Sequence, residues 1–85
     1  MFIHIGGEST ISDKYIVGIF DMESLTVDSD EAIDFIRQAE EAGRVEIVSS
    51  EIPRSFVVTM DRVYLTPISV ATLRRRIEKA FSWND

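Results

Sequence analysis

The stretch Pro53–Pro67, PRSFVVTMDRVYLTP, decides the fold. Two apolar runs, Ser55–Met60 and Val63–Leu65, flank Asp61-Arg62. Val, Phe, Tyr and Thr suit a pleated surface, and a two-residue break between such runs reads as a β-hairpin. Asp-Arg is not the favoured Asn-Gly or Asp-Gly pair, so the turn type stays open. Arg54 stands at the entrance of the first strand, and an arginine-rich amphipathic segment follows Pro67.

Working outward, Phe2–Ile5 reads as a strand ended by Gly6-Gly7, where paired glycines supply positive φ at little cost. Thr10–Ser12 reads as its return, and Ser12–Lys14 as a polar turn. Tyr15–Phe20 is the most apolar run, short and β-branched, and is expected to be a central buried strand. Gly18 inside it points to a bulge or a close backbone approach. Val45–Val48 alternates weakly and reads as a further strand, and Ser49–Ile52 as a loop or edge segment.

Two helices are expected. The first spans about 29–42, capped by Asp28 or Ser29. Its apolar stripe is Ala32, Phe35, Ile36, Ala39 and Ala42, and Gly43 supplies a left-handed stop. The second spans about 69–81, with Ser69 as cap and Val70, Leu73, Ile77, Ala80 and Phe81 as its stripe. Helical spacing puts Arg75, Arg76 and Lys79 on its solvent side, late enough to complement the helix dipole. Trp83 falls in a frayed tail. The fold class is α+β: a single domain over 1–85, with a mostly antiparallel sheet of five or six strands packed against the first helix.

Composition bounds the function. The 85-residue chain is 45% hydrophobic, enough for a core. A chain this short buries only roughly two-thirds of its extended-chain surface, so a lone subunit is marginal. With no cysteine, disulfides, thiolate metal sites and cysteine nucleophiles are excluded. No apolar run approaches membrane-spanning length and no signal peptide is evident, so the expectation is a cytoplasmic protein with no membrane partner.

Net charge is −6. Residues 1–51 hold twelve acidic and three basic side chains, and residues 52–85 hold three acidic and six basic ones. The halves thus differ in sign. Such a split suits a polyanion-binding face, or head-to-tail self-association of unlike surfaces, or simply a solvated charged surface.

Catalytic patterns are weak. His4, the sole histidine, lies mid-strand among apolar neighbours, where a structural role outweighs a catalytic one. Asp28, Asp30 and Asp34 lack the glycine and closing glutamate of a calcium loop. Gly6-Gly7 is not followed by a phosphate-loop signature. An enzyme is not expected, nor a cofactor or metal. The remaining candidates are basic: Arg54 at a strand mouth, Arg62 in a turn, and Arg75, Arg76 and Lys79 on a helix face, all able to contact phosphates. Taken alone, dipole compensation and solubility explain Arg74–Arg76 better than phosphate contact does. Tyr15, Tyr64 and Trp83 read as packing residues rather than as a stacking platform.

Four segments then carry a resemblance: FIHIGG (2–7), IS-x-x-x-IVGIFDMES (11–24), PRSFVVT (53–59) and YLTPIS-x-x-TL (64–73). In order and spacing they resemble the RemA/RemB family of small bacterial extracellular-matrix regulators, more closely its RemB branch, from Phe2 to about Ile77. The resemblance implies a DNA-binding regulator of biofilm-matrix genes that assembles as a homo-oligomeric ring. It carries DNA contacts onto two places, the loop before the IVGIF strand, where this chain has Lys14, and the approach to the RSFVVT strand, where it has Arg54. Glu51, Ile52 and Pro53 stand where the family pattern has an arginine pair. A scaffold that binds protein instead of DNA, co-assembling with a more basic paralogue, is the alternative.

Overall fold

The computed structural model describes residues 1–22 and 30–82, and the side chains of all these except 30–32 and 80–82. In chain order the elements are β1 (Phe2–Gly6), β2 (Ser9–Ser12), β3 (Ile16–Asp21), α1 (Asp30–Glu41), β4 (Val45–Ile47), β5 (Ser55–Thr59), β6 (Val63–Thr66) and α2 (Val70–Ser82). A 3-10 turn, Asp13–Tyr15, links β2 to β3. The class is α+β, and the six strands divide into two sheets rather than one. One is the antiparallel β1–β2 hairpin, and the other is four-stranded in the order β3-β5-β6-β4. Among the described residues only the β4–β6 pair is parallel.

The Pro53–Pro67 stretch forms β5 and β6, the two middle strands. Its turn is longer than the two-residue break suggests. The last antiparallel pair is Val58 with Val63, and Met60–Arg62 join the end of β5 to the start of β6 as a three-residue loop. No non-glycine residue adopts positive φ among the described residues, so the primed turns that close two-residue loops are not available. Thr59 closes the loop instead. Its N–H donates to the Arg62 carbonyl at 2.8 Å, and its Oγ1 accepts the Arg62 N–H at 3.0 Å.

β3 is the main departure from expectation. It is an edge strand, not a central one, and Val17 and Phe20 are exposed, at 69% and 48%. The apolar run is genuine, but within one subunit only β5 pairs with it. Gly18 does mark a bulge: the β3–β5 register slips between Ile16 and Gly18. A Cβ on Gly18 would stand 2.8 Å from the Phe20 ring, so its absence leaves room for that ring. Phe20 in turn stacks on Phe56, with centroids 5.0 Å apart.

The buried cluster joins Ile3, Ile5, Val57 and Leu73, with Ile11, Ile19, Tyr64 and Ile77 packed around it. The β1–β2 hairpin and α2 therefore cover one face of the larger sheet. This corrects the expected partner of the sheet: α2 supplies the helical part of the core, while on α1 Ile33 and Phe35 remain exposed. Ser69 caps α2, its Oγ accepting the Thr72 N–H at 3.3 Å. Gly43, at φ +71°, ends α1 in a Schellman motif, with Gly43 N–H on the Glu40 carbonyl and Arg44 N–H on the Ala39 carbonyl. The expected caps Asp28 and Ser29, and Trp83, lie outside the described residues.

Gly6 and Gly7 turn β1 into β2 at φ +127° and +54°. A Cβ on Gly7 would collide with the Val48 carbonyl oxygen. The paired glycines thus serve both the turn and its seat against the segment after β4.

Candidate nucleic-acid interface

The candidate basic residues occupy three separate places. Lys14 projects from the 3-10 turn at the start of β3, which Ser12 caps through its Oγ and the Lys14 N–H at 3.3 Å. Ile16, two residues on, pairs with Thr59 at the hairpin end of β5. Arg54 immediately precedes β5, at the opposite end of that strand. Its N–H donates to the Thr66 carbonyl at 2.8 Å and its carbonyl accepts the Met22 N–H at 2.9 Å. Six steps of strand rise separate Arg54 from Met60, about 20 Å. Both Lys14 and Arg54 are exposed. Their side chains form no ion pair with the described residues.

The third group lies on α2. Arg75 is exposed and donates to Thr72 Oγ1 at 3.2 Å. Lys79 is exposed one turn further on. Arg76 departs from its expected solvent-facing position. It is half-buried, and its Nη1 donates to the His4 carbonyl at 2.8 Å and lies 3.3 Å from His4 Nδ1. His4 Nε2 lies 2.7 Å from the Gly7 carbonyl. A carbonyl only accepts, so Nε2 carries the proton and Nδ1 is left free to accept from Arg76. The sole histidine is thus structural in its contacts, tying the glycine turn to α2.

Arg62 is likewise engaged. Its Nη1 sits 3.2 Å from Glu46 Oε1, across the β4–β6 edge. The same corner raises the Tyr64 phenol above its ordinary 10.0, first through burial and then through the nearby Glu46 and Asp61 carboxylates, against a smaller opposing effect of Arg62. Among the described residues no three His, Cys, Asp or Glu side chains gather in a group able to hold a metal. No helix among them is long and apolar enough to cross a membrane.

Two surface features escape sequence patterning. One is an open groove of about 500 Å³ between α1 and the sheet, lined by Val17, Phe35, Ala39, Val58 and Met60, with Arg44 at its side. The other is Ile52, 85% exposed in the loop after β4. The only trace of Ile52 in the sequence is a large apolar residue isolated in a polar loop.

The arrangement is that of a small α+β module with cations spread over both ends of one strand ladder and one helix, and it has known relatives. A model of the RemA-like family, extracellular matrix regulatory protein A-like, matches residues 2–77. The chain is also similar to extracellular matrix regulatory protein B of Bacillus subtilis (strain 168), 32% identical over 81 residues covering 95% of each protein. The chain belongs to the RemA-like family.

Proposed function

We propose that this protein is a non-enzymatic regulator of extracellular-matrix genes that acts in the cytoplasm as a single RemA/RemB-like domain, assembled into a homo-oligomeric ring that binds DNA. The regulatory role follows from the family and from the name of its Bacillus subtilis relative. The observation that carries the DNA-binding part is the pair Lys14 and Arg54. Both are exposed and unpaired among the described residues, and they sit at opposite ends of the β3–β5 ladder. One subunit presents too few cations in one place to hold a duplex against a net charge of −6. Copies arranged in a ring multiply weak phosphate contacts, because linked sites raise apparent affinity without new contacts. Arg75 and Lys79 add charge along α2, whereas Arg62 and Arg76 contribute less, being held by Glu46 and His4.

Binding of this kind rests on backbone charge and DNA shape, so it weakens with salt and varies little with sequence. Fluorescence anisotropy with labelled duplexes of unrelated sequence tests it. Arg54→Glu and Lys14→Glu are expected to weaken binding to every duplex alike, and unaltered affinity in both variants removes these residues from the interface.

A second reading is a scaffold that binds protein, or a paralogous partner, and no DNA. The apolar groove beside Phe35 and Met60 favours it. It requires that duplex DNA not be retained even at low salt.

A further inference from the structure

The larger sheet has two unlike ends. At the hairpin end lies the groove beside α1, with Val17 and Met60 standing 69% and 74% exposed along it. Arg44 flanks it, and its guanidinium has no ion-pair partner among the described residues. Asp61, also at the groove, is engaged by Thr59 Oγ1 at 3.2 Å, and Arg62 by Glu46. At the opposite end of β5, the loop after β4 presents Glu51 and Ile52. Ile52 is the most exposed large apolar side chain among the described residues. One end therefore offers an apolar knob next to an anion, and the other an apolar hollow next to an unpaired cation.

We propose that Glu51 and Ile52 of one copy dock into the α1 groove of a second copy, Ile52 among Val17, Phe35 and Met60, and Glu51 against Arg44. This rests on the homo-oligomer reading above and names the surfaces that make it. Knob and hollow are different surfaces of the same chain, so the contact is heterologous, and successive copies propagate until a ring closes. Apolar area leaves water at the centre of the joint, while the Glu51–Arg44 pair sets its register.

The joint has a consequence for charge. Arg54 lies two residues from Ile52, and Lys14 three residues from Val17. Docking brings Arg54 of one copy beside Lys14 of the next. Arg54 and the hairpin end of β5, on whose side Lys14 lies, are about 20 Å apart within a subunit by strand rise, and the joint brings the two cations toward each other.

Size-exclusion chromatography with light scattering, at micromolar protein and low salt, tests the joint. Ile52 and Glu51 are exposed, so Ile52→Asp and Glu51→Arg are expected to keep the wild-type circular dichroism spectrum while shifting the mass to monomer. Arg44→Glu alone is expected to weaken assembly at least tenfold, and combining it with Glu51→Arg to restore it. An assembled wild type whose mass is unmoved by Ile52→Asp and Glu51→Arg overturns the joint and leaves the oligomer reading standing. A wild type that stays monomeric overturns both.

Discussion

Arg76 reaches from α2 to the main-chain carbonyl of His4, 72 residues earlier, and closes a 2.8 Å hydrogen bond there. The contact fastens the second helix to the first strand. It also withdraws one of three consecutive arginines from the charge that α2 offers a partner.

Arg76→Ala is therefore expected to destabilise the fold by about 1–2 kcal/mol, the range for a hydrogen bond from a charged donor at a partly exposed site. Arg75→Ala, which removes only a bond to the Thr72 hydroxyl within the same helix, is expected to change stability by less than about 0.5 kcal/mol. Urea denaturation of both variants checks the contrast.

The two helices carry unequal shares of the core. Leu73 of α2 is 1% exposed against Ile3, Ile5 and Val57, so Leu73→Ala should cost about 2–4 kcal/mol. Ile33 of α1 is exposed, so Ile33→Ala should cost well under half as much. Equal losses at matched protein concentration would show that α1 holds the core as firmly as α2.

Gly7 and Gly43 both have positive φ, yet they predict different penalties. An added methyl at Gly43 meets nothing within 4 Å, leaving only the left-handed strain of about 1–2 kcal/mol. At Gly7 the methyl also strikes the Val48 carbonyl oxygen, and the hairpin must move away from the sheet. Thermal melts should rank Gly7→Ala below Gly43→Ala.

Tyr64 predicts a dependence on alkaline pH. Its phenol is raised above 10.0 in the folded chain, so above that pH the folded state keeps a proton that the unfolded chain gives up. The stabilisation is complete below about 10 and is lost as pH rises through the folded value. The difference in 295 nm absorbance between wild type and Tyr64→Phe should have a midpoint above 10 in buffer, returning to about 10 in denaturing urea.

Much of the fold was legible where a residue type has one local use. Gly43 and Ser69 announced helix ends, and Gly6-Gly7 a turn, because those conformations and caps depend on neighbours in the chain. The hairpin was legible, but not its loop length, which depends on Thr59 reaching Arg62 once no glycine permits a tighter turn. β3 was misread as central because an apolar run reports a need for burial and not which molecule supplies it. Arg76 was misread because helical spacing describes where a side chain starts, and a guanidinium can fold back onto a distant strand. Arg54 is a candidate from its charge at a strand mouth, whereas Lys14 depends on the family resemblance. Their separation along β5 became visible only with the register of the sheet.

The central claim is that copies of an acidic subunit join so that Lys14 and Arg54 form a continuous positive rim. The salt dependence of duplex binding measures this most directly. A rim engaging six or more phosphates predicts a log affinity falling against log salt with a slope of about −5 or steeper. A slope no steeper than about −2, what a lone subunit's two cations would give, or no retention at the lowest salt, contradicts it.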